Sequence, residues 1–197
     1  MSMFYYWGPY VFKTEVDQDF INQCTEKGLK LTISHSEELA GNLDHQMLFP
    51  AEDRDWFITK TKSIFEAYVD GYYKFHGIGG FPTPPQLTKL WINFMKAGDY
   101  NPPHTHGDTL SFVLFLNVPK ELEEERKEFK GKSSGPGSIT FNYGERTIPK
   151  WTTHQQTFFP KTGDMYIFPA MINHYVHPFK TKDVQRISMS GNITMKF

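Results

Sequence analysis

NPPHTHGDTLSFVLFL, residues 101–116, is the stretch that decides the fold. A proline-rich turn presents His104 and His106, and an apolar, β-prone run follows at once. If the run continues as a strand, residues two apart share a face, which groups His104 with His106 and His106 with Asp108. Imidazoles and a carboxylate that converge at the end of a strand suit a borderline transition metal such as Fe(II). Two histidines in a turn are also common as solvated side chains, so this stretch alone leaves metal binding open.

The composition of the 197-residue chain predicts one domain, residues 1–197, with a sizeable core. Charged residues make up 22% and the formal net charge is -1, which gives no electrostatic reason to expect nucleic acid or an anionic membrane as a partner. Cys24 is the only cysteine, so an intrachain disulfide is excluded. Residues 1–10 lack the features of a signal peptide, and no apolar run approaches membrane-spanning length. We therefore expect a cytoplasmic protein.

Residues 1–86 predict a helical and loop segment that precedes the main fold. Asp17 is a suitable N-cap for a short helix over residues 16–29. Residues 53–73 carry a mostly apolar stripe at helical spacing, which predicts a second helix packed on a sheet.

Residues 87–197 have a different sequence pattern, with short β-prone runs separated by turns that contain Gly and Pro. A charge-rich insert at residues 121–132 predicts a solvated loop or a short helix. Because helices do not alternate with the strands, a nucleotide-binding parallel sheet is not indicated. The pattern predicts a mainly β, antiparallel sandwich, barrel or jelly roll.

A third histidine follows the apolar run at residues 165–168. At the end of a late barrel strand, His174 is placed to meet His104 and His106 at the barrel mouth. His177 is the rival candidate, but odd spacing in a strand turns it to the opposite face. We therefore prefer His174, although a lone histidine is more often a core or surface residue.

Residues 186–190 alternate polar and apolar side chains. Arg186, Ser188 and Ser190 share one face, and Ile187 and Met189 share the other. If the polar face is interior, a guanidinium there needs an anion, and an Arg fork beside a serine hydroxyl suits a carboxylate. If the polar face meets solvent, Arg186 is an ordinary surface residue, and the sequence leaves both readings open.

The order of these motifs resembles the Fe(II)- and 2-oxoglutarate-dependent oxygenases, whose signature is His-x-Asp/Glu, a distant His and then Arg-x-Ser. More closely, Trp91-Ile92-Asn93, Gly98-Asp99-Tyr100-Asn101 and His104-Thr105-His106 are similar to a prolyl-hydroxylase-like subgroup of these oxygenases from bacteria and tailed phages. The later residues 163–169 and His174-Tyr175-Val176 are similar to the closing motif of that subgroup, and Arg186-Ile187-Ser188 matches its Arg-Ile-Ser. The resemblance covers roughly residues 88–195.

The resemblance implies a double-stranded β-helix (a jelly-roll, cupin-like fold) over residues 87–197, with supporting helices in residues 1–86. It implies a dioxygenase that hydroxylates a C–H bond of a small-molecule or peptidyl substrate, with release of succinate and CO2. Fe(II) would be held by His104, His106 and His174, and the far carboxylate of 2-oxoglutarate by Arg186 and Ser188. No catalytic residue beyond the metal ligands is implied. The protein would be located in the cytoplasm, or in the cytoplasm of the host if a phage encodes it. The oligomeric state stays open, and a homodimer is one of the possibilities.

One position departs from the superfamily pattern. His106 stands where most members have a carboxylate, so either three histidines hold the iron or the register shifts and His106-x-Asp108 supplies the usual pair. We favour three histidines, which keep the alignment with the subgroup. Two other functions remain open: a three-histidine, cupin-like metal dioxygenase that does not use 2-oxoglutarate, and a non-catalytic jelly-roll module for binding or structure. Arg186 and Ser188 discriminate against the metal dioxygenase, which does not need them, whereas a non-catalytic module would have exposed aromatics and no metal.

Overall fold

The computed structural model describes residues 8–38, 40–80, 83–132, 134–144 and 154–195. The elements in these ranges are, in chain order, β1 (Phe12–Glu15), α1 (Gln18–Leu29), β2 (Gln46–Leu48), α2 (Ala51–His76), β3 (Gln86–Met95), β4 (Asn101–His104), β5 (Leu110–Asn117), α3 (Glu121–Glu128), β6 (Ile139–Asn142), β7 (Gln155–Phe158), β8 (Asp164–Pro169), β9 (Asn173–Val176) and β10 (Arg186–Thr194), with a short 3₁₀ turn at Ser36–Glu38.

The strands form two antiparallel sheets. A six-stranded sheet has the order β1-β8-β5-β10-β3-β2, and a four-stranded sheet has the order β4-β9-β6-β7. From β3 onward consecutive strands pass from one sheet to the other, except β6 and β7, which pair with each other in the smaller sheet. This is the winding of a double-stranded β-helix. The predicted mainly β jelly-roll fold is therefore confirmed, and α1 and α2 support the larger sheet from outside.

Both faces of the larger sheet are buried. On its outer face Phe112 of β5 stacks on Phe57 of α2, with ring centroids 5.0 Å apart. On its inner face Phe115 and Val113 pack with residues of the smaller sheet, including Phe141. The side chains of β5 thus alternate between two apolar clusters, as the period-2 geometry of a strand requires.

The N-terminal segment contributes strands as well as helices. Asp17 caps α1 as predicted, since its Oδ1 accepts a 2.8 Å hydrogen bond from the backbone N–H of Phe20. Helix α2, predicted over residues 53–73, spans Ala51–His76. The segment also supplies β1 and β2, which pair with β8 and β3 at the two edges of the larger sheet. Neither helix, nor any other in the described ranges, is long and apolar enough to cross a membrane.

The His-x-His motif does not lie in one continuous strand with the apolar run that follows it, so the condition for grouping its side chains by the period of a strand is not met. Strand β4 ends at His104, and β5 begins only at Leu110. Pro102 and Pro103 lack backbone donors, and the β4–β9 register shifts between Asn101 and His104. His106 therefore lies in a connection between the two sheets, where its backbone N–H donates to the carbonyl of Ala170 at 2.9 Å.

Candidate functional site

Three histidines from different segments converge between the sheets. His104 of β4 is paired directly with His174 of β9, and their ring centroids lie 4.3 Å apart. The ring of His106 lies 5.0 Å from His104 and 5.2 Å from His174, centroid to centroid. One ring nitrogen from each residue can be chosen so that all three lie within 4.8 Å of one another. The three nitrogens are thus close enough to share one metal ion.

Two of these imidazoles have a fixed tautomer. Nδ1 of His104 lies 2.7 Å from the carbonyl oxygen of Pro102, and Nδ1 of His174 lies 2.9 Å from that of Ile172. A carbonyl only accepts hydrogen bonds, so each Nδ1 carries the proton and each Nε2 keeps a free lone pair. Metal-binding histidines are commonly oriented by such backbone bonds.

Burial keeps the three histidines neutral. It lowers the pKa of His174 to about 3 and that of His106 to about 4, with a smaller contribution from the neighbouring His104 in both cases. The pKa of His104 itself is lowered, again chiefly by burial. Neutral imidazole is the form that binds a metal, and three such ligands suit a borderline divalent ion such as Fe(II). The donor set therefore fits the predicted iron.

The other two candidate ligands lie elsewhere. Oδ1 of Asp108 accepts a 2.8 Å hydrogen bond from the hydroxyl of Thr194, and Asp108 does not belong to the histidine cluster. His177 packs beside Tyr175 instead, with ring centroids 5.1 Å apart, as expected for a residue at odd spacing from His174.

Arg186 is buried inside the fold, so the polar face of residues 186–190 is interior. Its side chain is 2% exposed, and Nη1 donates a 2.9 Å hydrogen bond to the carbonyl of Gly137. The guanidinium carbon lies 5.0 Å from the centroid of the Phe115 ring. Nε is buried without a hydrogen-bond partner, and no carboxylate of the described ranges pairs with the guanidinium.

The electrostatic surroundings of Arg186 are unfavourable to its charge. Burial, with a smaller contribution from the Arg126 cation, lowers the pKa of Arg186 to about 9. The guanidinium still carries its proton at neutral pH, and a buried charge of this kind is costly without an anion. Ser188, 3% exposed, lies two residues along the same face and adds a hydroxyl donor. This pair suits a ligand carboxylate.

One cavity joins the histidines to the arginine. Its wall includes His104, His106, His174, Arg186, Ser188, Ser190, Trp91, Asn93 and Gln46. The sequence reasoning gave no role to Asn93 or Gln46. Asn93 carried a signal, because it is the polar residue in the otherwise apolar run of residues 90–95 in β3. Gln46 is recognisable only once β2 is paired with β3.

Several proteins of known structure share this fold. The viral collagen prolyl hydroxylase of Paramecium bursaria Chlorella virus-1, solved with 2-oxoglutarate, aligns over 96% of this chain and 98% of its own at 15% identity, with a TM-score of 0.59. A prolyl-4-hydroxylase from Pseudomonas putida aligns over 93% and 91% at 12% identity, with a TM-score of 0.53. HygX from Streptomyces hygroscopicus, with nickel and 2-oxoglutarate, aligns over 93% and 82% at 6% identity and a TM-score of 0.56.

These structures are similar in fold, and their identities are too low to transfer more than that. Among curated proteins no sequence matches the chain. The profile of the family described as "Putative 2OG-Fe(II) oxygenase" matches residues 89–192, which is more than half of the chain. This chain therefore belongs to the 2OG-Fe(II) oxygenase family and is an Fe(II)- and 2-oxoglutarate-dependent oxygenase.

Proposed function

We propose that His104, His106 and His174 hold Fe(II), and that Arg186 and Ser188 bind the far carboxylate of 2-oxoglutarate. The observation that carries the proposal is the Arg186 guanidinium, which is buried without a carboxylate partner in the described ranges and shares a cavity with three neutral imidazoles. A dicarboxylate that reaches from the histidines to Arg186 would compensate that charge.

The residues of the chain have distinct tasks in this scheme. When bound, Fe(II) and 2-oxoglutarate supply the oxidative chemistry, in which dioxygen, the 2-oxo acid and a C–H bond give succinate, CO2 and an alcohol. The carbonyls of Pro102 and Ile172 keep the lone pairs of His104 and His174 available. Arg186 fixes the far end of the 2-oxo acid, which sets its orientation in the cavity.

Part of the cavity wall is apolar. Phe168 and Val113, both buried, line the cavity, and the ring of Phe168 lies 4.8 Å from that of His174, centroid to centroid. Such apolar walls strengthen the electrostatic attraction between a bound anion and Arg186.

The substrate we propose is a small molecule or a peptidyl group rather than nucleic acid. The structural neighbours include a collagen prolyl hydroxylase, and the net charge of -1 gives no attraction to a polyanion. We also infer a cytoplasmic location, in which Fe(II) and the thiol of Cys24 stay reduced. A three-histidine dioxygenase that does not use 2-oxoglutarate would leave the charge of Arg186 without a partner, so we do not favour it.

The test is an anaerobic titration with Fe(II) and then 2-oxoglutarate, followed by calorimetry and by thermal unfolding. The wild type should bind both, and 2-oxoglutarate should raise the melting temperature. Arg186→Met should bind Fe(II) like the wild type and lose the response to 2-oxoglutarate, and His174→Ala should lose iron. Binding of iron by the wild type without any response to 2-oxoglutarate would refute the proposal.

A further inference from the structure

A row of polar side chains crosses three strands of the larger sheet. Gln46 on β2 is paired directly with Asn93 on β3, and Asn93 is paired directly with Ser188 on β10. Directly paired residues of antiparallel strands project from the same face, and all three residues line the cavity. Gln46 is 1% exposed, Asn93 5% and Ser188 3%. The row is therefore part of the buried cavity wall.

The hydrogen bonds along this row run in one direction. Nε2 of Gln46 donates to Oδ1 of Asn93 at 2.7 Å. Nδ2 of Asn93 then donates to the hydroxyl oxygens of Ser188 at 3.4 Å and Ser190 at 3.5 Å. Each serine oxygen accepts in this row, so its own proton is available for an acceptor in the cavity. The direction is significant because a carboxylate can only accept.

We propose that Gln46 and Asn93 are positioning residues that orient the hydroxyls of Ser188 and Ser190 as donors to the far carboxylate of 2-oxoglutarate. The inference rests on the proposed function, in which Arg186 binds that same carboxylate. Arg186 supplies the charge, and the row adds directional donors beside it on the same face of β10.

Gln46 supports this direction by satisfying the acceptor of its neighbour. The side-chain amide of Asn93 has nearly the same shape when it is rotated by half a turn. In the rotated state Oδ1 would face the serines and attract their protons away from the ligand. The bond from Gln46 Nε2 engages Oδ1 on the opposite side, which favours the orientation that presents Nδ2 to the serines.

The position of Gln46 ties the N-terminal segment to the cosubstrate. Gln46 lies outside residues 89–192, which the family profile covers, and it belongs to a short edge strand whose partner is β3. Gln46, a residue of the N-terminal segment, would thereby affect the affinity for 2-oxo acids that carry a far carboxylate. It would do so through Asn93 and the serines and not through the three histidines.

The experiment compares Gln46→Glu and Gln46→Leu with the wild type. An introduced carboxylate accepts from Nδ2 of Asn93 and reverses the row, whereas leucine only removes the support. Fe(II)-loaded protein is titrated under nitrogen with 2-oxoglutarate and, separately, with 2-oxopentanoate, which lacks the far carboxylate. The pH is mildly alkaline so that the introduced carboxyl group is ionised. We expect Gln46→Glu to weaken 2-oxoglutarate binding at least roughly tenfold and Gln46→Leu about threefold, on the scale of a hydrogen bond to a charged group.

Controls separate positioning from folding and from simple charge repulsion. Binding of Fe(II) and of 2-oxopentanoate should not change. Thr61→Val removes a buried hydroxyl bond of α2 at a residue that does not line the cavity, so it should lower the melting temperature and leave the 2-oxoglutarate affinity unchanged. In a Ser188→Ala/Ser190→Ala background the Gln46→Glu effect should vanish, and its persistence would overturn the inference.

The outcomes distinguish this inference from the proposed function. If Arg186→Met and Ser188→Ala weaken 2-oxoglutarate binding but the Gln46 variants and Asn93→Ala do not, the positioning role is refuted and the proposed function stands. If Arg186→Met leaves binding of 2-oxoglutarate unchanged, the proposed function itself fails. Should Gln46→Glu not fold, Gln46→Leu and Asn93→Ala carry the same comparison.

Discussion

Thr194 donates a 2.8 Å hydrogen bond from its hydroxyl to Oδ1 of Asp108. Thr194 is the last residue of β10, so this bond anchors the connection between β4 and β5 to the end of the larger sheet. The carboxylate is directed to a strand end, and Asp108 does not belong to the cluster of imidazoles. This arrangement favours His104 over Asp108 as the third ligand beside His106 and His174.

The first prediction concerns that ligand. Asp108→Asn should bind Fe(II) as tightly as the wild type, because the amide oxygen still accepts from Thr194. His104→Ala should weaken Fe(II) binding by roughly 100-fold or more, since even indirect supporting residues of metal sites contribute 10- to 100-fold. Competition with a chelator under nitrogen measures both. Loss of iron in Asp108→Asn with retention in His104→Ala would show that the shifted register, with His106 and Asp108 as ligands, is correct.

The second prediction separates stability from cosubstrate binding at Arg186. Replacing an uncompensated buried charge by an apolar side chain of similar length is often stabilising. Arg186→Met should therefore raise the free energy of unfolding of the ligand-free protein by about 1 kcal/mol while abolishing stabilisation by 2-oxoglutarate. Chemical unfolding with and without 2-oxoglutarate measures both effects.

Arg186→Lys is the matched variant for that prediction. Lysine keeps the charge and loses the planar fork, so it should retain part of the 2-oxoglutarate response that methionine loses. A marked loss of ligand-free stability in Arg186→Met would contradict the view that the buried guanidinium awaits an anion.

The alternation of polar and apolar residues at 186–190 shows what the sequence can and cannot predict about side-chain burial. It separated Arg186 and Ser188 from Ile187 and Met189 correctly, but it could not say which face is interior. Both faces are in fact buried, because α1 and α2 cover the apolar face and the smaller sheet covers the polar one. Only the tertiary arrangement decides that question.

Other features depend on pairings that leave little trace in the sequence. Strand β2 is short and lies at the sheet edge, so residues 46–48 show no clear alternation, and the role of Gln46 was missed. The insert predicted at residues 121–132 as a solvated loop or short helix contains α3, and Leu122 of that helix is fully buried. A single apolar residue among charged ones was too weak a signal to predict this docking.

The third prediction concerns Gly191 in the middle of β10. A Cβ there would lie 2.6 Å from an edge carbon of Phe112 and 2.8 Å from the backbone oxygen of Lys89. Phe112 cannot retreat, because its ring stacks on Phe57. Gly191→Ala should therefore lower the free energy of unfolding by about 2–3 kcal/mol, in the range of overpacked cores.

Urea unfolding measures this loss, and Gly79→Ala is the control. No atom outside the local chain lies within 4 Å of a Cβ at Gly79, so that variant should change stability little. Adding Phe112→Leu to Gly191→Ala should cost less than the sum of the single changes, because the smaller side chain makes room for the methyl group. Strict additivity would show that the clash is not with Phe112.

The fourth prediction is a pH dependence of the docking of α3. Oε2 of Glu125 accepts hydrogen bonds from the backbone N–H of Thr181 at 2.9 Å and from its hydroxyl at 2.6 Å, and both carboxylate oxygens accept from the backbone N–H of Lys180. Burial raises the pKa of Glu125, but the bonds from Thr181 and Lys180 outweigh it, so the pKa lies below its usual value. These bonds hold α3 to the connection between β9 and β10.

A lowered pKa in the folded state fixes the sign of the effect. The carboxylate stabilises the fold above the ordinary glutamate pKa, and this stabilisation is lost as the pH falls through the folded-state value. Glu125→Gln should cost about 0.5–1 kcal/mol at neutral pH, a modest amount because water screens a partly exposed group. The difference from the wild type, measured by urea unfolding, should disappear in acid. Glu124→Gln removes an exposed carboxylate of the same helix and should show no such pH dependence. An equal pH dependence in both variants would mean that the net charge of α3, and not the hydrogen bonds of Glu125, controls the stability of the protein.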